Sequence, residues 1–463
     1  MTTTYRLEYA LVDGAVHPDV LVSVSAGRFS AVSISPADRG KVRMTGDISP
    51  DKRGFPRPTG ETVIRGLSIP GMANAHSHAF HRALRGRTQR ERGTFWTWRE
   101  QMYAVAGRLD PDSYQQLAAA VFREMAAAGV TTVGEFHYLH HQPDGTAYTE
   151  ANVMGEALVQ AATDAGIRIA LLDTCYLAAG VGKEPEGVQR RFSDGDAGRW
   201  AERMTALADA MAGRPDVVVG GAVHSVRAVP RDQIGVVVET TQRRHAPLHV
   251  HLSEQIEEND QCLAAYGLTP TQLLHDEGAL GQLTSAVHAT HLTDTDLALL
   301  GGSGTYACFC PTTERDLGDG IGPSTRLHEL GSRLTLGSDS HAVIDLFEEM
   351  RAVELDERLA TQKRGHWEAG ELIDAATVNG QASLGFPDAG RIAVGHRADL
   401  VTIDLTSPRT AGTGGDENTA VFAATAEDVV QVMVDGRVVV RQGDRQQVGR
   451  ELDAAIRALW EEV

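Results

Sequence analysis

The sequence predicts an α/β protein: a (β/α)8 barrel of the TIM type, with a small β-sandwich domain formed by both chain ends. From about residue 66, short apolar runs alternate with longer amphipathic segments, which is the pattern of repeated βα units. Strand patterns with hairpin turns occur before and after that region. A chain of 463 residues is also too long for one small core, so a barrel with additions is expected.

Eight apolar runs supply the predicted barrel strands, and helical segments such as Tyr114–Ala128 and Trp200–Met211 separate them. Two further helical segments, near 343–360 and 368–384, follow the last run. The runs are Leu67–Pro70, Val130–Val133, Ile167–Leu172, Val217–Val223, Leu248–Leu252, Ser285–His288, Thr305–Cys310 and Leu334–Gly337.

The two chain ends carry the predicted β domain. Residues 5–34 alternate like short strands around Asp13-Gly14, and strand patterns return over 398–440 around Asp435-Gly436. Both dipeptides are typical of tight hairpin turns. The stretch 35–60 is rich in Pro, Gly, Asp and Arg and predicts a loop. The predicted division is a small domain from 1–65 with 391–463, and a barrel over 66–390.

Composition narrows the classes of partner and location. The net charge of −19 argues against nucleic acid, and no run is long and apolar enough to cross a membrane. The N-terminus lacks the basic and apolar segments of a secretion signal, and the four cysteines form no CxxC pair, so we expect a cytoplasmic location. A small molecule is the expected partner, and a homodimer is the common default.

Histidines and carboxylates recur where the predicted strands end. His76 and His78 lie two residues apart after the first run, so in a strand they point to the same face. The carboxyl ends of barrel strands carry the chemistry, and a catalytic zinc-type site needs a few protein ligands and an open position. The sequence therefore predicts a metal site at this end of the barrel. The other candidates are His251 with Glu254 around the fifth run, His288 at the end of the sixth and Asp339 after the eighth.

Other histidines have simpler interpretations. His249 alternates with His251 on the fifth run, so it shares the inner face and predicts a supporting or packing role. Loop or rim positions are expected for the remaining candidates, which are His140, His141, His291 and His341.

These segments resemble the amidohydrolase superfamily of metal-dependent deaminases. The resemblance rests on PGMANAHSH, HLSE, VHATH, GSDSH and the tail Gly390–Val401, and it covers nearly the whole chain. It implies that His76, His78, His251 and Asp339 bind one divalent ion, with zinc first and iron or manganese as alternatives. It also implies that Asp339 takes a proton from the attacking water. His288 then orients that water and stabilises charge, and Glu254 carries protons to the departing ammonia.

Within that superfamily, the likeness points to the N-formimino-L-glutamate deiminases of histidine breakdown. It rests on Ser77–Ala83, Phe95–Arg99, Glu135–Tyr138 and His224–Val229. The resemblance implies hydrolysis of an anionic amidine, N-formimino-L-glutamate, to N-formyl-L-glutamate and ammonia. Arginine suits such a substrate because its planar fork binds carboxylates bidentately. The implied substrate-binding residues are His81, Arg99, Tyr138, His224 and Arg227, where His81 stands in place of the family's glutamine.

Two alternatives remain open on sequence alone. A related deaminase could act on another amidine or an aminated ring such as guanine or a triazine, but such a ring favours aromatic walls, and the chain is 5% aromatic. A non-catalytic scaffold relative would be expected to lack metal ligands. The segment Gly180–Arg199 predicts either a lid or a plain surface excursion.

Overall fold

The computed structural model describes residues 2–34, 62–89 and 95–461, so the predicted loop over 35–60 lies outside it. The described strands form one sheet of eight and one of seven. In chain order they are β1 Thr3–Val12, β2 Ala15–Ser25, β3 Arg28–Ser33, β4 Thr62–Pro70, β5 Met72–Ser77, β6 Val130–His137, β7 Arg168–Cys175, β8 Val217–Val223, β9 Leu248–Leu252, β10 Thr284–His288, β11 Tyr306–Phe309, β12 Leu334–Leu336, β13 Leu400–Ile403, β14 Val429–Val434 and β15 Arg437–Arg441.

Helices follow most barrel strands. Asp110 caps α2 by accepting a hydrogen bond from the Ser113 backbone N–H, and Gly166 ends α3 in the left-handed conformation that glycine tolerates. The α-helices are α1 Phe95–Ala106, α2 Pro111–Ala127, α3 Val153–Ala165, α4 Ala197–Ala210, α5 Arg231–Arg243, α6 Ile256–Tyr266, α7 Pro270–Asp276, α8 Asp294–Ser303, α9 Pro311–Leu317, α10 Ser324–Glu329, α11 Leu346–Thr361, α12 Ala369–Asp374, α13 Gly380–Ser383, α14 Glu417–Phe422 and α15 Arg445–Glu461. Short 3-10 turns cover Ala79–Leu84, Gly187–Phe192 and Ala426–Asp428, and a π-helical turn covers Ala375–Asn379.

The eight-stranded sheet is the predicted barrel. Its strands β5 to β12 pair in sequence order, and every pairing is parallel. A parallel bridge between Ser77 and Asp339 joins the last strand back to the first. The Asp339 backbone N–H donates to the His76 carbonyl at 3.0 Å across this seam. The (β/α)8 prediction is therefore confirmed.

The core lies between the barrel wall and the surrounding helices. Leu117, Val121 and Phe122 of α2 are fully buried there, as is Trp200 of α4. At the end of the barrel where the strands begin, Leu384 and Phe386 pack against Ala73 and Ala170. These apolar side chains close that end of the barrel, and the polar side chains lie at the opposite end, where the strands end.

The seven-stranded sheet joins both chain ends, in the order β15-β14-β13-β4-β1-β2-β3. The expectation that Leu67–Pro70 forms the first barrel strand was wrong, because that run belongs to β4 of this sheet, and Met72–Ser77 is the barrel strand. The two strands are separated only at Gly71, where a Cβ would lie 2.5 Å from Thr131 Oγ1. Because the chain is buried without interruption from Gly66 to Leu84 except at Arg82, hydrophobicity could not mark the change of sheet.

The tail holds more than strands. Helix α15, which the strand patterns did not predict, buries Leu452 and Leu459 and packs beside α2, where Arg123 pairs with Glu451 at 3.0 Å. A buried ion pair between Arg168 and Asp399 ties the barrel to the segment leading into β13. The division into domains at 65/66 and 390/391 stays a prediction, and β4 runs across its first boundary. No helix in the described part of the chain is long and apolar enough to cross a membrane.

Candidate active site

Four predicted ligands meet at the carboxyl end of the barrel. The ligand atoms of His76, His78, His251 and Asp339 all lie within 4.8 Å of one another, and all four residues are buried. His76 lies near the end of β5 and His78 directly follows it, His251 lies near the end of β9, and Asp339 follows β12. Asp339 Oδ1 is 3.3 Å from the Nε2 atoms of both His76 and His78. Residues from three parts of the sequence thus converge on one point.

The outer nitrogens of two imidazoles fix the orientation of the rings. His78 Nδ1 donates to the Phe136 carbonyl at 3.0 Å, and His251 Nδ1 donates to the His224 carbonyl at 3.0 Å. Their Nε2 lone pairs therefore point inward. His251 Nε2 lies 3.0 Å from His76 Nε2, so basic nitrogens and a carboxylate face one another at short range. A divalent cation is the group that fits this donor set.

The surroundings of His76 and Asp339 keep both side chains in the forms that bind a metal. Burial lowers the pKa of His76 to about 4, so its imidazole is neutral at pH 7. Burial alone would raise the pKa of Asp339, but the adjacent imidazoles of His76 and His78 hold it well below its usual range. Neutral imidazoles and an ionised carboxylate are what metal binding requires.

Several non-glycine residues around this cluster have a left-handed backbone conformation. Ser253, His288, Asp339 and His341 have φ of 50°, 69°, 39° and 59°. Such conformations cost energy for residues with a Cβ, and they persist where the surrounding structure enforces them. They turn the chain sharply at the strand ends, which directs these side chains toward the cluster.

His288 and Glu254 lie beside the four ligands. His288 Nε2 is 4.0 Å from Asp339 Oδ2 and 3.9 Å from Glu254 Oε1. Its Nδ1 donates to Glu314 Oε1 at 3.3 Å, and Glu314 also accepts from the Cys310 backbone N–H at 2.9 Å. Burial opposes a charge on His288, yet Glu254, Glu314 and Asp339 hold the pKa of its imidazole well above the usual range. His288 Nε2 therefore lies close to both Asp339 and Glu254.

Sequence reasoning missed Glu314, which is buried in the first turn of α9. It also missed Glu135 on β6, which accepts hydrogen bonds from Ser77 Oγ and the Ala79 backbone N–H, both at 2.6 Å. Ser77 Oγ also lies 3.2 Å from His341 Nε2. This hydrogen-bond network therefore holds the end of β5 in place, where His76 and His78 are located. A carboxylate in the middle of the apolar run after Val130 was the available signal for Glu135.

As predicted, His140, His141 and His341 lie in loops and outside the ligand cluster, but they are buried rather than exposed at the rim. His140 Nε2 donates to the Thr174 carbonyl at 2.8 Å, and His141 Nε2 pairs with Asp194 at 3.1 Å. These bonds satisfy polar groups behind the cavity, and sequence spacing gave no sign of their partners. His249 is buried within the barrel, as a packing role requires.

A cavity opens onto the cluster. All five predicted substrate-binding residues line it. His81 Nε2 and Tyr138 Oη are 3.1 Å apart, and Arg99 Nε donates to Tyr103 Oη at 2.7 Å. Burial lowers the pKa of Arg227, but Glu258, whose Oε2 is 3.4 Å from Arg227 Nε, and Glu254 raise it overall. The guanidinium groups of Arg99 and Arg227 therefore line the same cavity as the ligand cluster.

The segment Gly180–Arg199 is not a plain surface excursion. Its 3-10 turn Gly187–Phe192 buries Arg191 completely, and Arg191 donates to the carbonyls of Ala106, Leu109 and His141. Phe192 lines the cavity and packs on Tyr138 with ring centroids 5.1 Å apart. The segment thus forms part of the cavity wall.

Comparison with known proteins agrees with this architecture. The amidohydrolase family model matches residues 67–439. The chain is 39% identical over 418 residues to formimidoylglutamate deiminase of Pseudomonas aeruginosa, covering 87% of this chain and 91% of that protein. It is 27% identical over 441 residues to 5-methylthioadenosine/S-adenosylhomocysteine deaminase of Halobacterium salinarum, covering 94% and 90%.

Solved structures agree as well. An amidohydrolase from Brucella melitensis superimposes with a TM-score of 0.87 at 29% identity, covering 99% of this chain and all of that one. The match to the family model spans the barrel and the strands that follow it, and the predicted family resemblance is confirmed. This chain belongs to the amidohydrolase family of metal-dependent hydrolases.

Proposed function

We propose that this protein hydrolyses N-formimino-L-glutamate to N-formyl-L-glutamate and ammonia, a reaction of histidine degradation. The observation that carries the proposal is the presence of Arg99 and Arg227 in the same cavity as the metal-ligand cluster. An amidine that carries two carboxylates needs both features. The 39% identity to the Pseudomonas aeruginosa formimidoylglutamate deiminase supports the same substrate.

Substrate binding is assigned to the polar side chains of the cavity. Arg227 and Arg99 bind the carboxylates, since guanidinium groups pair with carboxylates through two parallel hydrogen bonds. Tyr138 and His224 supply further hydrogen bonds. His81, in the position of the family's glutamine, lies 3.1 Å from Tyr138 Oη and acts with it as one polar unit. These contacts set the formimino carbon over the cluster.

The cation assigned to His76, His78, His251 and Asp339 is a single divalent ion, most readily Zn²⁺. When bound, such an ion supplies Lewis acidity that makes water deprotonation feasible near neutral pH. Burial lowers the pKa of His76 and of His251, which favours their neutral imidazoles. Fe²⁺ and Mn²⁺ suit the same ligands.

Proton transfers are assigned to three side chains. Asp339 Oδ2, on the side facing His288, accepts the proton of the attacking water. His288 Nε2 orients that water and stabilises the charge that develops at the formimino centre. Glu254 delivers protons to the nitrogen that leaves. The carbon gains oxygen, the C–N bond to the terminal nitrogen breaks, and ammonia departs.

The competing function is deamination of an aminated ring, because the Halobacterium salinarum relative is named 5-methylthioadenosine/S-adenosylhomocysteine deaminase. A neutral purine or triazine has no carboxylate that the guanidinium groups of Arg99 and Arg227 in the cavity could bind. A non-catalytic scaffold function has no support, since the ligand set is complete. A homodimer and a cytoplasmic location stay predictions.

The test is a product assay with metal-loaded protein. N-formimino-L-glutamate, guanine and 5-methylthioadenosine are compared for ammonia release, and the organic product is identified by mass. The proposal expects ammonia and N-formyl-L-glutamate in equal amounts. Formation of L-glutamate and formamide, or faster turnover of a ring, would overturn it.

A further inference from the structure

Gln189, in the wall segment Gly187–Phe192, connects two tyrosines of the cavity. Its Nε2 donates to Tyr103 Oη at 2.9 Å and to Tyr176 Oη at 3.0 Å. Both tyrosines line the cavity that also holds Arg99 and Arg227. Gln189 itself is buried, and none of these three residues belongs to the set assigned above.

The orientation of the Gln189 amide is fixed by a backbone group. Its Oε1 accepts a hydrogen bond from the Glu186 N–H at 3.1 Å. A backbone N–H can only donate, so the oxygen must lie on that side and the NH₂ group must face the tyrosines. Both hydrogens of the amide are therefore used to donate to the phenolic oxygens.

This arrangement leaves the tyrosines as donors. Tyr103 Oη accepts from Gln189 and also from Arg99 Nε, so both of its lone pairs are used. Tyr176 Oη has one lone pair left after Gln189. Two hydroxyl hydrogens therefore compete for one remaining acceptor. Among the described residues of this group, at least one hydroxyl hydrogen is left to point into the cavity.

The charges around the pair favour an anion. Arg99 contacts Tyr103 directly, and Arg227 lines the same cavity. Burial keeps the pKa of Tyr176 above its usual range, so its hydroxyl stays protonated and able to donate. A hydrogen-bond donor beside cationic forks suits a carboxylate and offers little to a neutral ring.

We propose that Gln189 is a positioning residue for specificity: it orients the pair Tyr103 and Tyr176 so that a hydroxyl hydrogen of this pair is donated to a substrate carboxylate between Arg99 and Arg227. The inference rests on the proposed function for the identity of the substrate. It adds a second set of carboxylate contacts, supplied through the wall segment.

Gln189→Glu is the test, because it keeps the shape and reverses the polarity. One carboxylate oxygen still accepts from the Glu186 N–H, but the other accepts from the tyrosines and draws their hydrogens away from the cavity. KM for N-formimino-L-glutamate should rise about 10- to 100-fold, the effect of losing a hydrogen bond to a charged group, with kcat falling less. N-propylformamidine, which lacks carboxylates, should lose less than about 3-fold in kcat/KM.

Control variants separate this role from a merely structural one. Gln189→Met removes the polar contacts but leaves the hydroxyl hydrogens available, so KM should rise less than in Gln189→Glu. Tyr176→Phe removes one oxygen and should raise KM for the dicarboxylate alone. Gln446→Glu adds the same charge at an exposed position in α15 and should change neither substrate. Equal losses on both substrates, or a larger effect from Met than from Glu, would overturn the inference.

Calorimetry can test the donor role separately from the proposed function. The measured quantity is the affinity of glutarate for the metal-loaded parent and for Gln189→Glu. Weaker binding to the variant supports the donor role even if the parent releases no ammonia from N-formimino-L-glutamate, which would overturn only the proposed function. Unchanged glutarate affinity overturns the donor role whatever the turnover.

Discussion

His78 and Asp339 meet twice: the His78 backbone N–H donates to the Asp339 carbonyl at 3.2 Å, and His78 Nε2 lies 3.3 Å from Asp339 Oδ1. The first contact belongs to the seam that closes the barrel, and the second belongs to the ligand cluster. Closing the sheet therefore brings two predicted ligands together, although 261 positions separate them in the sequence (339 − 78). The site is a consequence of the barrel's topology.

Metal content follows from that cluster. The purified protein should contain about one divalent ion per chain, and dialysis against a chelator should abolish turnover until the ion is restored. His251→Ala should lower the bound metal well below the parent level, because it removes one of four ligands. Elemental analysis by plasma mass spectrometry measures both. Turnover that survives complete metal removal would refute the ligand assignment.

Proton transfer is tested by two isosteric variants, Asp339→Asn and Glu254→Gln. An amide can neither accept nor carry the proton, so turnover should fall by about 10²–10⁴-fold in each. Circular dichroism should show an unchanged fold. A variant that keeps a rate within a few-fold of the parent would show that its carboxylate has a different role.

Glu314 should support catalysis through His288. Its Oε1 accepts from His288 Nδ1 at 3.3 Å, so Glu314→Gln weakens a charge-assisted contact. We expect kcat to fall about 10- to 100-fold with KM changed less, because the substrate does not touch this residue. Glu329→Gln, at an exposed position of α10, is the matched control and should behave like the parent. A change confined to KM would contradict the assignment.

The stability of the fold should depend on pH through Asp319. Burial, with the nearby charge of Glu254, raises the pKa of Asp319 to about 8. Its unfolded value is about 3.9, so between pH 4 and 8 the folded state binds more protons than the unfolded state and stability falls as pH rises. Asp319→Asn removes this dependence. The free energy of unfolding of Asp319→Asn, relative to that of the parent, should therefore rise with pH by at most about 1.4 kcal/mol per pH unit between pH 4 and pH 8. Urea unfolding of the parent and of Asp319→Asn at pH 5 and pH 7 measures the two free energies of unfolding. A difference between them that is the same at both pH values would refute the raised pKa of Asp319.

The barrel was largely predictable because its strands are short buried runs between helices. Val217–Val223 and Leu248–Leu252 were predicted with the bounds that the structure gives. The first strand was misplaced because burial is nearly continuous through Pro70, so no change of pattern separates β4 from β5. Helix α15 was missed because the tail was interpreted from its hairpin alone.

The site residues also fall into a group that the sequence could predict and a group that it could not. His76, His78, His251 and Asp339 could be found because strand ends of a closed barrel must converge, which makes position in the sequence informative. The supporting residues Glu314 and Gln189 lie on a helix and on a 3-10 turn whose placement depends on tertiary packing. Glu314 and Gln189 have no sequence pattern that distinguishes them from surface residues, since their roles depend on partners distant in the chain.

Arg227 provides the most direct measurement. Steady-state kinetics of the parent and of Arg227→Met and Arg227→Lys should be compared on N-formimino-L-glutamate and on N-propylformamidine, with ammonia as the readout. The carboxylates do not change during the reaction, so Arg227→Met should mainly raise KM. The loss in kcat/KM should be about 2–5 kcal/mol on the dicarboxylate, with partial recovery in Arg227→Lys and little change on the neutral amidine. Equal losses on both substrates, or no ammonia from N-formimino-L-glutamate with the parent, would contradict a carboxylate-bearing amidine as the substrate.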